Sequence, residues 1–97
     1  MTDDRYEVLV IGGGPAGLSA ALTLARYERR VAVFDTCRGR STWHQINHNY
    51  LGFPGGIAAR DLRARGREQL AEYPHVTLHP HQINELQRRA SGFVACG

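Results

Sequence analysis

The sequence predicts an α/β fold with a parallel sheet, and three segments near its start support that prediction. Residues 8–11 (VLVI) form an apolar run without polar alternation, which is typical of a strand buried on both faces. A glycine-rich turn follows and leads into the helical pattern PAGLSAALTLAR. Residues 31–34 (VAVF) then indicate a second buried strand. This order of strand, helix and strand predicts a βαβ unit whose two strands lie parallel.

The turn between the first strand and the helix has the spacing of a dinucleotide-binding fingerprint. Gly12, Gly14 and Gly17 stand in the pattern Gly-x-Gly-x-x-Gly, and Asp35 follows at the end of the second strand. We expect Gly12 to permit a tight bend, Gly14 to let the backbone approach phosphates, and Gly17 to let the helix pack against the strand. The free N–H groups at the start of the helix would face the anion. The pattern therefore predicts a Rossmann-like unit that binds a pyrophosphate.

Other interpretations of the same residues stay open. An ordinary βαβ unit without a nucleotide would need the same strands, and it would also accept Pro15 at the first helical position. FAD and NAD present the same pyrophosphate and ribose to such a turn, so the residues alone do not choose between them. A carboxylate at Asp35 disfavours NADP because it repels a 2′-phosphate, and its alternative role is that of a turn or cap residue.

Length and composition limit the classes of function. Ninety-seven residues form one domain at most, which argues against a self-sufficient enzyme with two cofactor domains. All twelve basic residues are Arg and the formal net charge is a modest +3, with no basic, aromatic-rich patch of the kind that binds nucleic acid. The sequence has neither a signal-peptide pattern nor an apolar stretch long enough to span a bilayer. A cytoplasmic setting without a membrane is therefore expected.

Residues 59–73 predict a second helix. Apolar and small residues recur on one face at three- and four-residue spacing, and Arg and Glu are expected on the other face. The residues of the first face are Leu62, Gly66, Leu70 and Tyr73. A mid-helix glycine costs about 1 kcal/mol relative to alanine, so we expect Gly66 to pack closely against a neighbour. Pro74 would end the helix.

The remaining segments predict loops and short strands. Residues 36–58 indicate a long loop, and a loop of that length inside a compact domain usually carries function. Residues 76–78 predict a third parallel strand, and residues 83–87 a short extended segment. Ser91-Gly92 indicates a turn into residues 93–95. The pattern therefore predicts the start of a small β-hairpin or meander, and its end within a strand suggests a fragment or a truncated gene.

No catalytic residue and no metal site are predicted. The five histidines offer no third ligand at a suitable spacing. Cys37 and Cys96 lie too far apart for a CxxC pair, and Cys37 is expected to be a packing residue. Any redox chemistry would therefore belong to a bound cofactor.

Several of these segments together resemble a known family. The stretch IGGGPAGLSAALTLAR, Asp35, the stretch HNYLGFPGGI and the helix RDLRARGREQLAEY resemble the N-terminal part of thioredoxin reductase-like flavoproteins. These are pyridine nucleotide–disulfide oxidoreductases of the low-molecular-weight type. The resemblance spans nearly all 97 residues. It implies that residues 1–97 are the N-terminal part of an incomplete FAD-binding domain, with the NAD(P)H domain absent.

The resemblance implies FAD rather than NAD(P) at the βαβ unit and assigns residues to it. Those residues are Gly12, Gly13, Gly14, Pro15, Ala16, Gly17, Asp35, Thr36, Arg40, Ser41, Asn49 and Ile83. The glycine turn would line the pyrophosphate, and Asp35 would accept hydrogen bonds from the adenosine ribose. Arg40 and Ser41 fall in the loop that closes over the cofactor in this family. Asn49 would reach toward the flavin, and Ile83 would offer backbone groups to the adenine.

The implied activity is an oxidoreductase that passes electrons from NAD(P)H through FAD to a disulfide or another acceptor. The chain lacks the family's NAD(P)H domain, its returning C-terminal segment and its CxxC, so no reductase turnover is expected from these 97 residues alone. Flavin binding is therefore better supported than thioredoxin reduction. One alternative is a stand-alone nucleotide-binding or interaction module whose sheet is completed by a partner chain or a second copy. Another is a non-functional remnant.

Overall fold

A parallel sheet and two helices form the main body of the chain. The computed structural model describes residues 5–36, 46–48 and 50–97. In chain order, the described residues form β1 (Val8–Ile11), α1 (Pro15–Arg26), β2 (Val31–Phe34), β3 (Ile46–Asn47), β4 (Ile57–Ala58), α2 (Ala59–Leu70), β5 (Val76–His79), β6 (Glu85–Arg89) and β7 (Gly92–Cys96). The predicted α/β class with a βαβ unit is confirmed.

The sheet is built from β1, β2 and β5, with β2 in the middle. Both pairings are parallel, and Val31 is in register with Val8 on one side and Val76 on the other. Residues 31–33 are buried, as expected for a strand covered on both faces. The predicted third parallel strand is therefore confirmed. Because all three strands run the same way, the segments that follow them meet at one edge of the sheet.

The hydrophobic core lies where α1 and α2 meet the sheet. Its buried members are Leu18, Ala21, Val31, Val33 and Leu70. The two helices approach each other at Gly66, where an added Cβ would lie 3.0 Å from Leu18 Cδ1. The close packing predicted at Gly66 is therefore confirmed, and it brings α2 against the helix that follows the glycine turn.

The prediction for α2 was wrong in two respects. The helix ends at Leu70, and the Tyr73 N–H donates to the Leu70 carbonyl at 3.0 Å in the turn that follows. In a helix continued to Pro74, the proline would have no N–H for the Leu70 carbonyl and its ring would clash with that carbonyl, so a helix through Pro74 is disfavoured. The buried face is also rotated from the predicted one: Ala59, Arg63 and Leu70 are its buried residues, and Arg63 is only 5% exposed.

The predicted long loop contains a short antiparallel ladder. Strands β3 and β4 pair Ile46 with Ala58 and Asn47 with Ile57. Two-residue strands are too short to show a period-two pattern, so they cannot be predicted from the order of apolar and polar residues. Near the end of the chain, β6 and β7 form the predicted antiparallel hairpin, although β6 begins two residues later than expected. None of the helices in the described ranges is long and apolar enough to cross a membrane.

The core position of Leu70 generates a stability prediction. Leu70 is 1% exposed, whereas Leu51 is 101% exposed. Leu70→Ala should lower the free energy of unfolding by about 3 kcal/mol, because it removes buried methyl groups and leaves a cavity. Leu51→Ala is the same substitution at a solvent-exposed position and should change the free energy of unfolding by less than about 0.5 kcal/mol. Urea unfolding followed by circular dichroism measures both, and equal losses would contradict the assignment of the core.

Candidate nucleotide-binding site

The glycine turn joins the end of β1 to the start of α1. Gly12 has a φ of +106°, a conformation that side-chain-bearing residues rarely adopt, so the predicted tight bend at this position is confirmed. The Gly12 N–H donates to the Phe34 carbonyl at 2.8 Å and thereby holds the turn against β2. Gly14 is the N-cap of α1, and Pro15 follows at its first turn as expected.

The third glycine of the fingerprint sets the distance between α1 and the turn. A Cβ on Gly17 would collide with the Gly12 carbonyl oxygen and lie 3.1 Å from Val10 Cγ1. The predicted close packing of helix on strand is therefore confirmed. The start of the helix is held directly above the end of β1.

The start of α1 has polar groups that a bound anion can use. Its first intrahelical hydrogen bond runs from the Leu18 N–H to the Gly14 carbonyl at 2.9 Å. The N–H groups of Ala16 and Gly17 precede that bond and have no partner within a helix of this geometry. The helix has no acidic residue in its first turn and no side-chain cap. The positive end of the helix dipole is therefore not offset by a carboxylate in that turn.

Asp35 lies beside this turn at the end of β2, but its carboxylate already has a protein partner. Asp35 Oδ2 and Arg63 Nη2 form an ion pair between side chains that are 18% and 6% exposed. Arg63 Nε also donates to the Gly13 carbonyl at 2.7 Å. A Cβ on Gly13 would lie 2.6 Å from Asp35 Oδ2, so this position has no room for a side chain. Gly13, Asp35 and Arg63 thus form one packed cluster.

The electrostatics of this cluster depend on the burial of Arg63. Burial lowers the pKa of the Arg63 guanidinium, and the positive charge of Arg67 lowers that pKa further. The guanidinium still carries its charge at neutral pH, since the ordinary arginine pKa lies far above 7. A buried cation needs a compensating anion, and the Asp35 carboxylate supplies it. The negative charge of Asp35 is therefore largely offset within the protein.

A histidine at the end of β5 completes this edge of the sheet. The His79 carbonyl accepts a hydrogen bond from the Asp35 N–H at 3.0 Å. The His79 ring stacks on Phe34 with centroids 4.8 Å apart, and His79 Nε2 lies 2.8 Å from Thr77 Oγ1. A crevice of about 10 Å³, room for roughly one water molecule, lies between Asp35, His79 and Arg67. The described part of the chain contains no group of three His, Cys, Asp or Glu side chains placed to hold a metal ion.

The other residues expected at a cofactor lie in different parts of the chain. Thr36 is half-buried directly after Asp35, and Ile83 is half-buried between β5 and β6. Arg40, Ser41 and Asn49 lie outside the described residues. The structure therefore brings together the glycine turn and Asp35, with Thr36 next to Asp35 in the chain.

Sequence reasoning missed Arg63 and His79. The predicted pattern puts the Arg and Glu residues of α2 on the face opposite Leu62 and Gly66. Arg63 instead lies four residues after Ala59 and three before Gly66, on the face that packs inward. A charged residue inside a stripe of small and apolar residues was the available signal. His79 carried no such signal, because its place beside Asp35 depends on the pairing of β5 with β2.

The fold and the turn define a class, that of Rossmann-like α/β domains. The sequence matches the pyridine nucleotide-disulphide oxidoreductase family over residues 6–91, and the chain belongs to that family. It is 36% identical to the thioredoxin reductase aclD of Aspergillus oryzae over 102 aligned positions, which cover 95% of this chain and 29% of that protein. The crystal structure of thioredoxin reductase from T. acidophilum superposes with a TM-score of 0.80 at 26% identity, covering 96% of this chain and 31% of the other.

The similarity extends beyond thioredoxin reductases. The chain is 35% identical over 80 residues to MnmG of Mycoplasma capricolum, a tRNA uridine 5-carboxymethylaminomethyl modification enzyme, covering 82% of this chain and 13% of that protein. The chain spans only about a third or less of the length of the thioredoxin reductases it matches. The shared region corresponds to the N-terminal portion of thioredoxin reductases and is homologous to their FAD-binding region.

The two helical glycines allow the close approach at the turn to be tested. Gly17→Ala and Gly66→Ala share the same gain in helix propensity of about 1 kcal/mol. Gly17→Ala would meet backbone, so it should lower the free energy of unfolding by about 1–3 kcal/mol. Gly66→Ala would meet only the tip of the flexible Leu18 side chain and should stay within about 1 kcal/mol of the parent. Chemical unfolding measures the difference, and a Gly17→Ala variant as stable as Gly66→Ala would contradict the close packing.

Proposed function

We propose that this chain is the FAD-binding segment of a flavoprotein oxidoreductase. In the complete enzyme, electrons would pass from NAD(P)H through FAD to a disulfide or another acceptor. The observation that carries the proposal is the glycine turn with positive φ at Gly12, which leads into an uncapped helix beside a strand-end carboxylate in a chain of this family. The family depends on FAD and NAD(P)H, and its thioredoxin reductases match nearly the whole length of this chain.

The residues of the turn fit a dinucleotide pyrophosphate. The Ala16 and Gly17 N–H groups would donate to phosphate oxygens, and the dipole of α1 would stabilise the negative charge. The absence of a side-chain cap in α1 leaves these groups accessible. Because Gly12, Gly13 and Gly14 have no side chains, phosphates could approach the backbone of the turn directly.

The end of β2 would bind the adenosine half of the cofactor. Asp35 would accept a hydrogen bond from a ribose hydroxyl, and Thr36 lies next to it in the chain. Bound FAD would supply the redox chemistry, accepting a hydride and passing electrons on. The residues of this chain would bind and orient the dinucleotide rather than exchange electrons. Residues in the rest of the enzyme would select the final electron acceptor.

A negative charge at the start of α1 should separate binding from folding. Ala16→Asp places a carboxylate where the pyrophosphate would lie, and it should weaken FAD binding at least about tenfold through charge repulsion. The same carboxylate interacts favourably with the helix dipole, so the fold should be retained or stabilised by about 0.3–1 kcal/mol. The measurements are titration of FAD by flavin fluorescence and thermal unfolding by circular dichroism.

Ala20→Asp is the matched control, because Ala20 is exposed on the same helix but lies beyond its first turn. Ala20→Asp should bind FAD as tightly as the parent chain does.

The visible spectrum of the purified parent chain, before and after addition of FAD and desalting, is the first measurement. Absorbance retained at ~450 nm is expected for bound flavin. If Ala16→Asp binds FAD as tightly as Ala20→Asp, the helix start is not the pyrophosphate site.

The hairpin favours a second candidate, a module that associates with a partner chain or a second copy and has no catalytic activity. Leu86 and Phe93, which lie on the same face of the hairpin, are 56% and 64% exposed and leave apolar surface on β6 and β7 open to contact. Association through this surface should be visible by light scattering and reduced in Phe93→Ser. A monomer that retains FAD would favour the first candidate.

A further inference from the structure

Arg63 is the only charged side chain among the buried residues of the described part of the chain. It lies on the face of α2 that also contains Ala59 and Leu70, and this face packs inward. Burying a guanidinium is costly unless its charge and its N–H groups are satisfied. The two groups that satisfy it belong to the two elements expected to hold a dinucleotide: the glycine turn and the end of β2.

The bond to the glycine turn fixes one peptide group. Arg63 Nε donates to the Gly13 carbonyl at 2.7 Å, in a buried position. The carbonyl of a trans peptide and the N–H of the next residue point in opposite directions. Arg63 therefore holds the Gly14 N–H on the side of the turn away from α2. Gly14 is the N-cap of α1, so this peptide leads directly into the start of the helix.

The ion pair with Asp35 holds the other element, the end of β2. Arg63 Nη2 pairs with Asp35 Oδ2, and that oxygen is buried. The exposed fraction of the Asp35 side chain, 18%, therefore lies among its other atoms, and Oδ1 is the oxygen left to accept a hydrogen bond from a ligand. Gly13 completes the cluster, because its missing side chain is what lets the carboxylate lie against the turn.

From this geometry we propose that Arg63 is a positioning residue of the dinucleotide site. It ties the Gly13–Gly14 peptide and the Asp35 carboxylate to a single guanidinium, so that the pyrophosphate-binding and ribose-binding elements are held in one fixed arrangement before the ligand arrives. The role requires the planar fork of arginine, which can donate in two directions at once, and a lysine ammonium is a poor substitute. The inference rests on the proposed binding of FAD at this turn.

Three variants and a control test this role. Arg63→Lys keeps the positive charge but not the fork, and Arg63→Met keeps an unbranched apolar stem but neither the charge nor the fork. Arg63→Met combined with Asp35→Asn removes both members of the buried pair, which guards against a variant that fails to fold. Arg60→Met is the matched control, since Arg60 lies on the same helix with a side chain 61% exposed. Each is measured by FAD titration, by thermal unfolding and by the ¹H–¹⁵N resonances of Gly13 and Gly14.

The expected result is that Arg63→Lys and Arg63→Met weaken FAD binding about tenfold or more, the size expected for losing charge-assisted hydrogen bonds. Both should shift the Gly14 amide resonance, whereas Arg60→Met should change neither quantity. The double variant should fold without recovering FAD affinity, because neither the peptide nor the carboxylate is held. A residue with a merely structural role would lower the thermal midpoint without moving the Gly14 resonance.

Two results would overturn the assignment. One is an Arg63→Met variant with the Gly14 resonance and FAD affinity of Arg60→Met. The other is a double variant that binds FAD as tightly as the parent chain. If the parent chain itself binds no FAD while the Gly14 resonance still responds to Arg63, the proposed function fails but the fixing of the turn by Arg63 stands. The two failures are therefore distinguishable.

Discussion

The close approach of α1 to the end of β1 is the constraint on which the remaining contacts depend. Gly17 lies against the Gly12 carbonyl with no room for a Cβ, so the helix begins directly above the strand. Once α1 is held there, α2 packs against it where Gly66 meets Leu18. That second contact brings Arg63 within reach of the turn and of β2. A side chain at Gly17 would therefore disturb groups far beyond its own neighbours.

The parallel direction of the three strands gathers polar groups at one edge of the sheet. The glycine turn follows β1, Asp35 follows β2, and His79 ends β5. Two backbone hydrogen bonds join these segments: the Gly12 N–H donates to the Phe34 carbonyl at 2.8 Å, and the Asp35 N–H donates to the His79 carbonyl at 3.0 Å. The first N–H groups of α1 and the second carboxylate oxygen of Asp35, Oδ1, are outside this backbone pairing. These are the groups that a pyrophosphate and a ribose need.

The arrangement of the glycine turn and Asp35 agrees with membership in the pyridine nucleotide-disulphide oxidoreductase family. That membership alone does not identify the reaction. The chain corresponds to about a third or less of the thioredoxin reductases it resembles, and it is similar over much of its length to a tRNA-modifying enzyme as well. A fold can serve many different activities, so membership in the family does not identify an electron acceptor. Under the proposed function, the described residues would bind the cofactor rather than the substrate.

The sequence by itself determined the βαβ unit and the roles of Gly12, Gly17 and Gly66, because each depends on local backbone freedom or on a pattern within one element. It also indicated the third strand and the terminal hairpin from apolar runs and turn residues. Only the tertiary structure decided the partner of Asp35, because Arg63 is distant in sequence and reaches it through the packing of two helices. A short-range pattern shows which face of a helix is apolar, but it does not show which buried charge meets which neighbour.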